Sequence, residues 1–246
     1  MDATVGRIVD SLKSNGLADN TLLLVVGDNG PWNAYCEDAG SQGPFVGGYM
    51  QPAGTGTGKF TTWEGGHREA SLAWFPGKIA PGQVSNVTLH IVDFFVTLAS
   101  LANLPLPADR SYDGVDMSPI LFQGATTTPR KFLFHQSGGN FTAARFGKYK
   151  GHYVTWSADG CKVPGKPRVE HNPPLIFDLD ADPGETTPLK TGDMPPGLEA
   201  SFVSALQDIL KDIKSAPDTH TSPYHSGGFP YEACCNPNHT SCKCLQ

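Results

Sequence analysis

Charge is what this chain has little of. Only 17% of its 246 residues are Asp, Glu, Lys or Arg, and the acids outnumber the bases to leave a net charge of −6. A nucleic-acid-binding face must be basic, because its affinity comes largely from neutralising phosphates, so this balance argues against a nucleic-acid partner. An anionic substrate is still compatible with it, since a local Lys or a bound cation can override the net charge. Long apolar runs are missing too. Ile91 to Leu104 is too short to cross a bilayer and carries Asp93, so no membrane span is expected. A leader pattern is also absent: Met1-Asp2-Ala3-Thr4 runs straight into an amphipathic helix, with no basic or apolar start. The histidines His90, His135, His152, His171, His220, His225 and His239 show no metal-ligand spacing.

Glycine (28), proline (21) and hydrophobic residues (39%) are plentiful. That describes a loop-rich globular chain able to bury a core. Six cysteines and three acceptor sequons, at Asn86, Asn140 and Asn238, have a secretory or lysosomal character. A secretory-type body without a leader sets up the expectation that the beginning of the protein lies outside this chain. Cys234, Cys235, Cys242 and Cys244 fit a zinc cluster poorly, because such clusters pair Cys-x2-Cys units. Disulfides are favoured, with Cys36 and Cys161 left as a further pair, although spacing alone does not fix connectivity.

Val5, Ile8, Val9 and Leu12 recur at helical spacing, with Gly16 as a stop. A strand over 21–27 follows. Its run Leu22–Val26 has no polar alternation, and it reads as buried on both faces, as in the centre of a parallel sheet. It ends in Gly27-Asp28-Asn29-Gly30-Pro31, at the strand end where open α/β sheets bind ligands. Residues 30–58 form a long Gly/Pro-rich loop. A strand over 71–75 and a helix over 90–104 come next, the helix with Ile91, Phe94, Phe95, Leu98 and Leu101 on one face. Beyond Gly114-Val115-Asp116, short strands near 131–135, 141–146, 152–156 and 175–179 form an antiparallel meander. Leu198, Phe202, Leu206, Ile209 and Ile213 then mark a long helix. The expected organisation is an α/β portion over 1–125 and a small α+β subdomain over 126–246 with a Cys-rich tail.

Asp28 and Asn29 offer two hard oxygen donors of the kind Ca²⁺ takes, and Asp-Asn-Gly is equally a good turn. Lys59 could hold an anionic oxygen or be a solvated surface Lys; Gly56-Thr57-Gly58-Lys59 is no phosphate-binding P-loop, because Phe60 follows the Lys. Among Glu64, His67, Arg68 and Glu69, an acid–base pair competes with a structural ion pair. The structural reading is favoured for Arg68 and Glu69, and His67 stays open.

Taken together, Gly27-Asp28-Asn29-Gly30-Pro31-Trp32, Lys59, Thr61-Thr62-Trp63-Glu64-Gly65-Gly66-His67-Arg68-Glu69 and Trp74-Phe75-Pro76-Gly77 resemble the type I sulfatases. So do Asp113-Gly114-Val115-Asp116, Phe146-Gly147-Lys148-Tyr149-Lys150, Pro174-Leu175-Ile176-Phe177-Asp178-Leu179, Asp182-Pro183-Gly184-Glu185 and Cys234-Cys235-Asn236-Pro237. The resemblance implies an alkaline-phosphatase-like α/β fold with a small C-terminal subdomain, and hydrolysis of sulfate esters. It makes Asp28 and Asn29 two ligands of one Ca²⁺ whose other ligands lie outside this chain, and Lys59 a sulfate contact. His67 is a further possible site residue. The resemblance also implies a formylglycine made from the Cys of Cys-x-Pro/Ser-x-Arg, a motif that no cysteine here satisfies. The chain is therefore expected to be the C-terminal half of a lysosomal or secreted sulfatase, inactive alone. The implied substrate is a glycosaminoglycan, specifically heparan 3-O-sulfate. The alternative is a non-catalytic, truncated sulfatase-like protein.

Overall fold

The computed structural model describes residues 1–137 and 139–215. Met1–Asp208 form one compact unit, and the chain from Ile209 belongs to a second. The tail cysteines Cys234, Cys235, Cys242 and Cys244, and Asn238, lie outside the described residues.

The chain opens with helix α1, Asp2–Ser14. It feeds strand β1, Leu23–Val26, through a short 3-10 turn at Ala18–Asn20. A long loop carries another 3-10 segment, Asn33–Ala39, and ends at the single-turn helix α2, Glu64–His67. Strand β2, Ser71–Trp74, then returns beside β1 in a two-stranded antiparallel sheet, Leu23 opposite Trp74 and Val26 opposite Ser71. This departs from the parallel, doubly buried strand expected of the apolar run. All four β1 residues are half-buried. An unalternating apolar run records the polarity of both faces, but it carries nothing about the direction of the neighbouring strand.

Helix α3, Asp93–Leu101, is shorter than its periodicity predicts, and its burial is inverted. Polar Asp93 and Thr97 are buried while Ile91, Phe95, Leu98 and Leu101 are exposed. Asp93 explains the inversion. Its carboxylate accepts the His90 N–H (2.8 Å) and the Val115 N–H (2.9 Å) and pairs with Arg130. Thr97 continues the tie by accepting the Met117 N–H at 2.8 Å, just before helix α4, Ser118–Gln123.

The second half meets the meander expectation. Strands β3 (Leu133–Ser137), β4 (Asn140–Phe146), β5 (Tyr149–Thr155) and β6 (Val169–Asp178) form one four-stranded antiparallel sheet in chain order. Helix α5, Leu198–Ser215, packs Leu198 and Phe202 onto one face of it, against Ala144, Tyr153 and Ile176. Gly151 makes the approach possible: a Cβ there would sit 2.8 Å from the Phe202 ring. The Tyr153 hydroxyl donates to the Phe202 carbonyl at 2.7 Å.

The opposite face receives α2 and its leading loop. Trp63 is buried with Met50, Phe177 and Leu179, stacks on His152 at 4.3 Å and donates its indole N–H to the Trp156 carbonyl at 2.8 Å. Beside it, Glu64 enters the sheet as a buried charge. Lys150 donates to it at 2.9 Å and Arg145 at 3.2 Å. These two cations are cross-strand partners on β5 and β4. Glu185 completes the cluster. It lies 3.2 Å from Lys150, accepts from His152 at 2.7 Å and accepts the Glu64 backbone N–H at 2.6 Å. Burial alone would raise the Glu64 carboxyl, but Lys150 and Arg145 outweigh it and hold the pKa down to about 2. Glu64 thus adds stability that is complete above pH 4.5 and is lost as pH falls toward 2. The disulfide Cys36–Cys161 links the Asn33–Ala39 segment to the loop after β5 across a separation of 125 residues. By chain entropy a ring of that size is worth about 5 kcal/mol.

Removing Glu64 would leave Lys150 buried and short of its closest carboxylate. Glu64→Ala is expected to cost about 3–5 kcal/mol, measured as a lowered urea midpoint. Arg68→Ala, which removes the part-exposed ion pair at 3.5 Å and the guanidinium contact with the Phe45 ring at 4.5 Å, should cost less, about 1–2 kcal/mol.

Candidate active site

The site is assembled by backbone contacts between glycines. After β1 the chain turns through Asp28-Asn29-Gly30-Pro31, and the Gly30 N–H donates to the Gly66 carbonyl at 3.0 Å. A Cβ on Gly30 would lie 1.8 Å from the Gly65 carbonyl oxygen, so only glycine lets the turn rest on α2. The Lys59 N–H donates to the Pro31 carbonyl at 2.9 Å, and the Gly58 N–H donates to Asn33 Oδ1 at 2.8 Å. Asn33 in turn donates to Gln42, and Gln42 donates to the Thr57 hydroxyl. Three loop segments are thereby laid edge to edge.

Asn29, Lys59 and His67 converge on one cavity of about 270 Å³. Phe60, Thr61, Thr62, Gln136 and Ser137 also line it. Among the described residues no carboxylate pairs with Lys59. Its ammonium sits 5.7 Å from the Trp32 ring and 5.5 Å from the Phe60 ring. It is a cation held by aromatic faces and left open to an anion. Phe60 adopts φ 74°, a left-handed conformation rare for a bulky residue. Trp156 fixes it by donating its indole N–H to the Phe60 carbonyl at 3.1 Å.

His67 stacks on His135 with ring centroids 4.0 Å apart. Burial, reinforced by the nearby Lys150 charge, lowers its pKa from 6.5 to about 4 despite a hydrogen bond to the Thr62 backbone. His135 is pushed well below the ordinary histidine value, also chiefly by burial. His67 Nε2 is buried with no hydrogen-bond partner. With Nδ1 left to donate to Thr62, Nε2 carries a free lone pair. Both imidazoles are neutral at neutral pH.

Asp28 is exposed, and its Oδ1 accepts the Asn29 N–H at 2.8 Å. It does not line the cavity with Asn29. Glu69 packs so close to Gly27 that a Cβ there would meet its Oε2 at 2.2 Å. Burial and then the Asp28 charge raise its pKa, and Glu69 Oε1 is buried without a partner. Asp28 and the unsatisfied oxygen of Glu69 are carboxylate donors of the kind a hard cation takes, and a bound cation would offset the repulsion that Asp28 exerts on Glu69. Six to eight donors are usual, roughly, and among the described residues no cluster of three His, Cys, Asp or Glu is placed to hold an ion alone.

Of the four charged residues flagged in the α2 segment, Glu64 is a structural anion and Arg68 pairs with it at 3.5 Å. The acid–base alternative is thereby answered for Glu64. The residues missed in the sequence are Arg145, Lys150, His152 and Glu185 beneath the site, and His135, Gln136 and Ser137 beside it. Lys150 and His152 left one signal: two basic side-chain types at i, i+2 fall on the same face of a strand. Cys36 and Cys161 are bonded as the leftover pair. Asn86 and Asn140 are both exposed.

Two family models match in sequence order: the sulfatase model over residues 1–104 and the C-terminal region of aryl-sulfatase over 128–244. The chain belongs to the sulfatase family. Among curated relatives, arylsulfatase G of Canis lupus familiaris is 40% identical over 99% of this chain and 46% of its own length. N-acetylgalactosamine-6-sulfatase of Sus scrofa is 38% identical over 96% of this chain and 44% of its own. A solved sulfatase from Pseudoalteromonas sp. superposes with a TM-score of 0.73 at 25% identity, over 89% of this chain and 42% of that one. The chain thus spans about half the length of the relatives it matches, and the sulfatase α/β fold with its C-terminal subdomain agrees with the expected fold class.

Between pH 6.5 and 4 the unfolded chain protonates His67 and the folded chain does not. Stability is therefore expected to be full above pH 6.5 and to fall as pH drops toward 4, by roughly 1–3 kcal/mol from this residue. Urea midpoints at about pH 7.5 and 5 measure it, and His67→Gln should remove this residue's share while His135 and His152 keep theirs.

Proposed function

We propose that this chain forms the lysine and calcium wall of a sulfatase site, working in the hydrolysis of sulfate esters to an alcohol and sulfate. The observation that carries the reading is that Asn29, Lys59 and His67 line one cavity. Lys59 pairs with a sulfate oxygen, and a calcium ion at Asp28 and Asn29 would neutralise a second. Charge on the sulfate oxygens is then met by fixed groups in a partly dry site. His67, neutral with Nε2 free, accepts a hydrogen bond from a hydroxyl of the substrate or from water. A formylglycine, when present, supplies the nucleophile. No Cys-x-Pro/Ser-x-Arg motif occurs in these 246 residues, so we assign that nucleophile to residues outside them. The uncovered apolar side chains Ile8, Leu72, Phe95 and Leu98 are where such residues would pack.

The finer reading is a glycosaminoglycan substrate, with heparan 3-O-sulfate as the specific case, in a lysosomal or secreted glycoprotein. Similarity to N-acetylgalactosamine-6-sulfatase, named for a sulfated amino sugar, supports a sulfated carbohydrate, and the cysteines and sequons support the lysosomal or secreted glycoprotein. The division at residues 125/126 belongs to the same proposal.

The 246-residue chain by itself is expected to release no 4-nitrophenol from 4-nitrophenyl sulfate. In the sulfatase that carries it, Lys59→Ala should lower kcat/KM by about 10²-fold or more with an unchanged urea midpoint. Unaltered kinetics would take Lys59 out of the site.

A further inference from the structure

The part of the cavity lining that comes from β3 has features that sulfate binding does not use. Strand β3 slips register against β4 between His135 and Gln136. A regular strand sends successive side chains to opposite faces, but a bulge re-aims them. Here consecutive residues, Gln136 and Ser137, both line the cavity. Ser137 Oγ accepts a hydrogen bond from the Arg168 guanidinium at 2.6 Å. Having accepted, the Ser137 hydroxyl keeps its own hydrogen free to donate. Arg168 lies just before β6, and its guanidinium stacks over the Trp156 ring at 4.3 Å. That is the same Trp156 whose indole holds Phe60 in the cavity lining. Arg168 is exposed, and among the described residues no carboxylate pairs with it.

Two cations without a carboxylate partner among the described residues therefore attend the cavity. Lys59 lines it, and Arg168, outside the lining, reaches it through its hydrogen bond to Ser137. A volume of about 270 Å³ is roughly nine waters' worth. That exceeds what a sulfate group fills, so part of the esterified alcohol enters as well. We propose that Ser137 and Arg168 are specificity-determining residues that read a second anionic group, a carboxylate or a second sulfate, carried near the sulfate ester. The planar fork of Arg168 suits either group in two-point contact, and stacking on Trp156 limits the freedom lost on binding. The inference rests on the placement of the cleaved sulfate at Lys59.

The test is calorimetric binding to the sulfatase that carries this chain, wild type and variants. The probes are a monosulfated hexose, a disulfated hexose, the monosulfated hexose linked to a uronic acid, and the carboxyl-reduced form of that disaccharide. The wild type is expected to bind at least one doubly anionic probe about tenfold tighter than its singly charged counterpart. Which probe gains tells carboxylate from sulfate. Arg168→Gln should abolish the gain and leave the monosulfated hexose unaffected, while Arg168→Lys keeps part of it. Equal wild-type affinities for all probes, or a uniform loss in Arg168→Gln, would overturn the proposal. Lys59→Ala separates the two readings. If it weakens the monosulfated hexose while no gain appears, only the Arg168 role fails. If no probe binds the wild type, the sulfatase reading fails and takes this one with it.

Discussion

The buried carboxylate of Glu64 is the constraint on which the rest of the structure depends. It sits at the start of the one-turn helix α2, and its partners Arg145 and Lys150 belong to neighbouring strands of the second sheet. An uncompensated charge in that position would be prohibitively costly, so the helix docks only where the strands present their cations. Glu185 accepts the Glu64 backbone N–H and also meets Lys150 and His152. The same residue thus fixes both the backbone and the charge balance of α2. Every cavity residue from Lys59 to His67 hangs on that docking.

The cluster also determines what the cavity senses. Glu64 and Glu185 are answered at close range by Lys150 and Arg145, and opposed charges in contact project little field beyond themselves. The cavity is left with Lys59 in its lining, Arg168 against Ser137, and the neutral imidazole of His67. A chain of net charge −6 can in this way offer a cationic wall to an anion. The exception is Glu69, whose carboxyl feels the Asp28 charge and has the opposite need.

Much of this was legible in the residues, and for identifiable reasons. The meander was readable because Gly and Asn punctuate short β-branched and aromatic runs. The Asp28-Asn29 turn and Lys59 stood out because polar groups follow glycines at the edge of apolar segments. The antiparallel pairing of β1 with β2 was not readable, since an apolar run is the same whichever way its neighbour points. The exposed face of α3 was misjudged for a different reason: Asp93 and Thr97 bind backbone groups far along the chain, and periodicity ranks residues by polarity, not by the partners they find. Gln136 and Ser137 were hidden because a bulge, which leaves no mark in composition, turned both toward one side.

The Cys36–Cys161 bond has a topological consequence for the cavity. It closes a covalent ring that includes Lys59, His67, His135, Gln136 and Ser137, with Asn29 and Arg168 a few residues outside it on either arm. The two walls of the cavity are therefore stretches of a single loop, not opposite ends of an open chain. When local structure on one wall melts, the other remains tethered within the circumference of the ring, and the cavity can open without its parts becoming strangers in solution.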